Sequence, residues 1–229
     1  MSVKMFVAAG AIFGLGTIAM GDVLYSQSFE NTDALGGKYF DTGDADVAHD
    51  LVNNAGEAWV DVDGMNAAYI PFDSPGVGLT DGDYVGVTNY TGGTGGFYDG
   101  DQAYQMSDTD GIMTLTSDVF GTADYVSLAI FIADTGYEDQ DWITITMGGV
   151  DLFNLGGTND GGVAMEDASG VWIVVSGAVS GGALQISFAS NSGSEALYID
   201  AISIEGAAVP APAALALLGL AGFARRRRR

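Results

Sequence analysis

Most side chains of this sequence that could carry chemistry are carboxylates. Closely spaced Asp residues recur near Gly in the first half of the chain, at Asp41/Asp44/Asp46, Asp61/Asp63, Asp81/Asp83, Asp99/Asp101 and Asp108/Asp110. Carboxylate oxygens are the ligands that Ca²⁺ prefers. None of these segments has the EF-hand pattern. Because Asp also favours turns, we expect most of them to be turns, and one such loop is kept as a candidate metal site.

The composition excludes several kinds of catalysis. The chain has no Cys, which removes thiol nucleophiles, disulfides and Cys-bound zinc or iron–sulfur sites. His49 is the single histidine and no nucleophile-elbow motif is present, so no Ser-type triad is indicated. We expect His49, within DVAHD, to be a solvated loop residue. A pair of carboxylates that hydrolyses glycosidic bonds stays open, because such a pair is defined by its spacing in space.

Aromatic rings are the second group with binding potential, since exposed rings offer flat apolar surface with a polar edge. The segment YTGGTGGFYDGD (residues 90–101) predicts a Gly-rich loop that holds rings beside carboxylates, a surface suited to hydroxyl-rich ligands. The candidate ligand-binding residues are Trp59, Tyr90, Phe97, Tyr98 and Trp142. The alternative is that such rings fill a core. For Trp172, within the run VWIVV, we expect a core position.

The elements that position these residues are predicted to be β-strands. Short runs rich in β-branched and aromatic residues, several with period-two alternation, are separated by Gly-rich connections and Asp-Gly turns. The candidate strands are VLYSQSFE near residue 23 and residues 58–62, 68–72, 84–88, 103–106, 112–116, 125–133, 142–147, 150–154, 172–176, 184–189 and 197–205. No ten-residue stretch of the body combines helical periodicity with caps. The pattern predicts an all-β fold, an antiparallel two-sheet jelly-roll sandwich.

Both ends of the chain differ from this body. Residues 1–21 have Lys4, a short apolar run and small residues at Ala19 and Gly21, which predicts a cleaved secretory signal peptide. Residues 207–229 combine prolines, a short apolar helix and a basic end. The predicted domains are therefore a signal peptide (1–21), a β-sandwich (22–206) and a C-terminal sorting segment (207–229).

The C-terminal segment resembles the PEP-CTERM sorting signal. The matching residues are Val209, Pro210, Pro212, the run LALLGLAG (215–222) and the basic end Arg225, Arg226, Arg227, Arg228 and Arg229. Ala211 departs from the family, which has Glu there. The resemblance implies transient membrane insertion through the apolar helix and cleavage by an exosortase-like processing enzyme. It also implies an exported protein of the cell surface or extracellular matrix.

The charge is distributed unevenly along the chain. The formal net charge is -23, with seven basic and 30 acidic residues. Without the two terminal segments, only Lys38 remains as a cation against all the acidic residues. Such a body repels nucleic acid and anionic lipid headgroups and attracts divalent cations, so we expect no nucleic-acid partner.

The body has a second, weaker resemblance. A first strand that ends SFE (residues 28–30) and a last strand LYIDAISIE (197–205) are similar to the closing strands of jelly-roll carbohydrate-binding and adhesion domains. The resemblance implies a structural calcium ion held by Glu30 and Asp200, with Asn31 a further ligand by position. The alternative is that Glu30 and Asp200 are solvated residues at strand ends.

These observations favour an exported, non-catalytic surface or matrix protein that binds polysaccharide through a calcium-stabilised β-sandwich. Two alternatives stay open at this point. One is a secreted glycan hydrolase that uses two carboxylates, and the other is a purely structural or adhesion module with only protein partners.

Overall fold

Alternation of apolar and polar residues gives this chain strands with one buried face. In β8 (Trp142–Met147), Ile143, Ile145 and Met147 are fully buried, whereas the residues between them are half-exposed. Successive side chains of a strand point to opposite faces, so one face of β8 lies on the core and the other faces outward.

A computed structural model describes residues 21–30, 37–72, 77–133 and 136–207. Within these ranges, no helix is both long enough and apolar enough to cross a membrane. Three predicted features lie outside the described residues: residues 1–20 of the signal peptide, the metal ligand Asn31 and the whole sorting signal (Val209, Pro210, Pro212 and arginines 225–229).

The described elements are nearly all strands. In chain order they are β1 (Val23–Gln27), β2 (His49–Asp50), β3 (Met65–Pro71), a short 3₁₀ turn (Gly78–Asp81), β4 (Gly86–Thr88), β5 (Ala103–Ser107), β6 (Gly111–Ser117), β7 (Ala123–Ile132), β8 (Trp142–Met147), β9 (Val150–Gly156), helix α1 (Gly161–Asp167), β10 (Trp172–Ala178), β11 (Leu184–Ser190) and β12 (Ala196–Gly206).

The strands form two antiparallel sheets. The first sheet has the order β10-β7-β12-β5-β4, and β1 also pairs with β12. The second sheet has the order β2-β3-β6-β11-β8-β9. The long strand β12 accommodates both neighbours on one side, because β5 pairs with its beginning and β1 with its end. The prediction of an all-β, two-sheet jelly-roll sandwich is confirmed.

Apolar side chains of both sheets form one buried core between them. Leu197, Ile199, Ile202 and Ile204 of β12 pack there with residues of β6, β8 and β11. Tyr198 instead belongs to a small cluster on the outward face of the first sheet. The step from 199 to 202 breaks the alternation, and a register shift between Asp200 and Ser203 accounts for it.

Three local predictions are corrected by the structure, and one element is added. The added element is helix α1, whose seven residues no sequence pattern predicted. Residues 58–62 are not a strand; only Val62 pairs there, in an isolated bridge to Met65. His49 is not a solvated loop residue: it lies in β2, and its Nε2 is 2.8 Å from the buried Asp41 Oδ2. Trp172 is only half-buried and lies outside the main core.

Candidate functional site

Glu30 and Asp200, far apart in sequence, both bind the connection between β4 and β5 (the β4–β5 loop, residues 89–102). Glu30 Oε1 accepts the backbone N–H groups of Asp101 at 2.8 Å and Gln102 at 2.9 Å. Asp200 Oδ2 accepts the N–H of Asp99 at 2.8 Å. The two carboxylates therefore accept three backbone N–H groups from the last four residues of one loop, and we refer to Glu30 and Asp200 as the loop clamp.

The backbone is strained next to both clamp residues. Phe29, just before Glu30, has φ of 59°, and Ala201, just after Asp200, has φ of 49°. Residues with a Cβ rarely adopt the left-handed region, and such strain persists only where the surrounding contacts enforce it. At Ala201 the strained residue coincides with the register shift of β12, which returns Ile202 to the core. Asp200 precedes the shift, and by alternation it lies on the same face as Tyr198.

Burial determines the acidity of Asp200. The residue is fully buried, and burial raises the pKa of its carboxyl to about 6 against the opposing effect of the N–H donors. Its second oxygen, Oδ1, accepts the N–H of Ala201 at 2.6 Å. Both Asp200 oxygens thus accept backbone N–H groups. The calcium ion predicted at Glu30, Asn31 and Asp200 stays a prediction, because the described contacts of the clamp are hydrogen bonds to the loop.

The clamped loop lies against a cluster of rings on the outward face of the first sheet. Trp172 of β10 donates its Nε1–H to the Gly96 carbonyl oxygen at 3.1 Å. Its ring lies 6.0 Å from Tyr98 and 5.6 Å from Phe131, and Phe131 lies 6.3 Å from Tyr198. We call Tyr90, Tyr98, Phe131, Trp172 and Tyr198 the aromatic patch.

The patch has a buried base and an exposed rim. Phe131 and Tyr198 are buried, whereas Tyr98 is 51% exposed and Tyr90 is 60% exposed. Burial, followed by the nearby Tyr90 hydroxyl, raises the pKa of Tyr198 to about 12, so its phenol is neutral near pH 7. An apolar base with exposed rings and hydroxyl groups at its edge suits a ligand that is itself flat and rich in hydroxyls.

The other candidate ring residues are distributed over the molecule. Phe97 lies in the β4–β5 loop beside Tyr98 and is half-buried. Trp59 packs on the edge of the main core, and its carbonyl oxygen accepts the N–H of Val87 at 2.9 Å. Trp142 lies on the second sheet, in β8. The structure therefore places Tyr90 beside Tyr198 and Tyr98 beside Trp172. Phe97 shares their loop, while Trp59 and Trp142 lie elsewhere.

Three carboxylates that were not singled out from sequence meet at one end of the sandwich. Glu138 and Asp141 lie in the connection from β7 to β8, and Glu195 lies just before β12. One carboxylate oxygen of each falls within 4.8 Å of the others. We call these residues the carboxylate cluster. An acidic residue directly before a buried strand, as in Asp141-Trp142 and Glu195-Ala196, is the only sequence signal for it.

Neighbouring contacts hold the two connections together. Ala196 O accepts hydrogen bonds from Ala133 N at 2.9 Å and from the Tyr137 hydroxyl at 3.2 Å. Asp141 is fully buried, Glu195 is 1% exposed and Glu138 is exposed. Burial raises the pKa of the Asp141 and Glu195 carboxyls, and repulsion among the three groups raises both further.

The burial of the cluster bears on glycoside hydrolysis. A shallow cleft of about 720 Å³ is lined by residues of the β7–β8 connection, the segment after β9 and helix α1. Glu138 lines this cleft, but Asp141 and Glu195 do not. A glycosidase needs both carboxyl groups in contact with the scissile bond. With two of its three acids sealed from solvent, the cluster does not present such a pair.

Comparison with known proteins gives remote structural similarities. No protein-family model matches the chain, and no curated protein matches it. The K2 cleaved adhesin domain of Lys-gingipain is 16% identical, with a TM-score of 0.42 over 80% of this chain and 98% of that domain. TmCBM61 in complex with β-1,4-galactotriose is 13% identical, with a TM-score of 0.35 over 54% of this chain and 83% of that chain.

The family 11 carbohydrate-binding module of Clostridium thermocellum, in complex with a mixed-linked tetrasaccharide, is 12% identical. Its TM-score is 0.34 over 71% of this chain and 97% of that module. At these identities and TM-scores the similarities carry no conclusion about the activity of this chain. Its function has to be inferred from the residues of the site.

Proposed function

We propose that this chain is a non-catalytic β-sandwich that binds polysaccharide through the aromatic patch. The observation that carries the proposal is a pair of exposed rings, Tyr90 and Tyr98, on a loop that the clamp and Trp172 hold in place. A ring fixed before binding loses little conformational entropy when a ligand stacks on it. The clamp therefore serves to preorganise the binding surface.

The charges around the patch favour a neutral ligand. Asp99 and Asp101 are exposed on the same loop, and Lys38 is the only Lys or Arg within the described residues. An anionic polymer would be repelled by such a surface. Carboxylates can instead accept hydrogen bonds from sugar hydroxyl groups, and tyrosine hydroxyls can both accept and donate them.

Affinity electrophoresis of the full-length chain in gels that contain neutral polysaccharides tests this proposal. Tyr98→Ala and Tyr90→Ala should weaken retention about tenfold or more, as expected for loss of an aromatic anchor. Tyr125→Ala is the matched control, because Tyr125 is 41% exposed and lies in β7, far along the strand from Phe131.

The outcomes separate the alternatives. Retention that survives in the Tyr90/Tyr98 double variant would refute binding at the patch. No retention of the unmodified chain on any polysaccharide would favour the purely structural or adhesion module. Product release from a polysaccharide, lost on substitution of a carboxylate, would favour the hydrolase.

The proposal extends to export and sorting. The support is the sequence alone: an apolar N-terminal run after Lys4, and a C-terminal apolar run that ends in five arginines. We propose that signal peptidase removes the N-terminal segment and that an exosortase-like enzyme removes the C-terminal segment. Intact mass and N-terminal sequencing of the exported protein test this, and an unchanged C-terminal mass in a host that has such an enzyme would refute the sorting step.

A further inference from the structure

The carboxylate cluster lies where two connections cross between the sheets. The chain leaves the first sheet after β7 and enters the second at β8, and it returns from β11 to β12. Glu138 and Asp141 come from the first crossing, and Glu195 comes from the second. Nothing in the aromatic patch or the loop clamp uses these residues.

Two oxygen atoms of the cluster lack hydrogen-bond donors. Asp141 Oδ2 accepts the N–H of Glu138 at 2.6 Å, and Glu195 Oε2 accepts the N–H of Asn191 at 3.2 Å. Asp141 Oδ1 and Glu195 Oε1 are buried and receive no donor from the residues that the structure describes. Buried polar atoms are nearly always satisfied, so two such atoms in one group indicate a partner that comes from outside the protein.

No positive side chain in the described ranges neutralises this group. Lys38 contacts the Gly82 carbonyl oxygen and the Tyr84 ring, and His49 pairs with Asp41. Carboxylates this close repel one another unless a proton or a cation lies between them. A cation can contact an oxygen of all three groups at once, whereas a proton joins only two of them.

We propose that Glu138, Asp141 and Glu195 bind one divalent cation, and that the cation is Ca²⁺. The donors are oxygen atoms only, which excludes the nitrogen and sulfur ligation typical of zinc and copper. The two buried carboxylates each offer one oxygen without a donor as a fixed ligand. Glu138 is exposed on the cleft, so water can complete the larger and less regular shell that Ca²⁺ accepts and Mg²⁺ does not.

The consequence is a cross-link between the two crossings, in addition to the hydrogen bonds that Ala196 accepts from Ala133 and Tyr137. An ion that binds only the folded chain stabilises it. We expect saturating Ca²⁺ to raise the melting temperature of chelator-treated protein by about 5 °C or more. Mg²⁺ at the same concentration should have a smaller effect.

The test measures Ca²⁺ binding to the full-length chain by calorimetry after treatment with a chelator. Glu138→Gln should weaken this binding by roughly tenfold or more, because affinity depends on ligand charge. Glu195→Gln should abolish it. Asp139→Asn is the matched control, since Asp139 is an exposed neighbour that lines the same cleft and is not part of the cluster.

A second control separates this ion from the calcium predicted at the loop clamp. Glu195→Gln should lose the ion of the carboxylate cluster, and Glu30→Gln should still bind it. Equal binding by the wild type, Glu138→Gln and Glu195→Gln overturns the proposal, as does a wild type that binds no Ca²⁺. If Glu195→Gln does not fold, the exposed Glu138→Gln decides the question.

Discussion

Asp83 gives a sharp prediction about stability and pH. The residue lies just before β4, where its backbone exchanges hydrogen bonds with Tyr39 at 2.8 and 2.9 Å. Its side chain is 2% exposed, and Oδ2 receives no donor from the described part of the chain. Burial, and then the nearby charge of Asp108, raises the pKa of Asp83 to about 8. We consider the change Asp83→Asn.

The sign follows from proton linkage. In the unfolded chain this carboxyl has a pKa of 3.8, so between about pH 4 and pH 8 the folded state holds a proton that the unfolded state has released. Stability therefore falls as the pH rises through this window, by up to about 1.4 kcal/mol per pH unit from this one group. Asn has a similar shape and no proton to lose. Between pH 5 and pH 7, the free energy of unfolding of Asp83→Asn should therefore fall by about 2 to 3 kcal/mol less than that of the wild type.

Urea unfolding at pH 5 and pH 7, followed by tryptophan fluorescence, measures this difference. Asp151→Asn is the control, since Asp151 is an exposed acid of β9 that is not among the charges acting on Asp83. The comparison is between each variant and the wild type, so other acids that titrate in the window cancel. If Asp83→Asn and the wild type lose the same stability between the two pH values, the buried carboxyl of Asp83 is not the cause of the dependence and the reasoning is wrong.

Two further predictions exchange Gly and Ala at positions of positive φ. Gly100 has φ of 64°, and a Cβ there would clash with Glu30 Oε1. Gly100→Ala should therefore lower stability and release the β4–β5 loop, seen as faster amide exchange of that loop; unchanged exchange would contradict the clamp. Ala201→Gly should relieve the strain of φ 49° and raise the unfolding free energy by about 1 kcal/mol. A loss of stability on urea unfolding would show that Ala201 contributes more through its contacts than it costs in strain.

The turns of this chain follow from its dipeptides, with one informative exception. Asp-Gly pairs predict Gly at positive φ, and Gly64, Gly82 and Gly100 have φ of 74°, 96° and 64°. At the fourth pair the positive φ of 45° falls on Asp110 itself, which Asp tolerates. Gly111 is needed there for another reason: a Cβ would lie 2.6 Å from a carbonyl oxygen of β3.

The position of Trp172 shows why burial could not be read from an apolar run. The sequence VWIVV is apolar at every residue, which is typical of a strand covered on both faces. In the structure β10 is a terminal strand of the first sheet, and its Val174 is 54% exposed. What covers Trp172 is Tyr98, from a loop more than seventy residues earlier in the chain. A local pattern contains no information about such a distant cover.

The carboxylate cluster could not be predicted for a related reason. Its residues stand in two separate connections, and apart from an acid directly before β8 and before β12, nothing marks them as unusual among the 30 acidic residues. They meet only because both connections cross the sandwich at the same end. By contrast, the Asp-rich segments that attract attention in the sequence include turns such as Asp63-Gly64 and Asp99-Gly100.

Buried carboxylates in a chain with almost no positive charge need some other form of stabilisation, and the described residues show three. Asp200 accepts backbone N–H groups at both oxygens. Asp41 pairs with His49. Asp83 Oδ2 receives no donor from the described residues, and the pKa of about 8 allows this carboxyl to stay protonated near neutral pH. The carboxylate cluster has too few N–H donors for the first solution and no basic partner for the second. Protonation would remove the charge of a single buried acid, but it does not explain why three acids from two crossings lie close together. A bound cation explains it, because the ion links the two crossings and neutralises both buried groups at once.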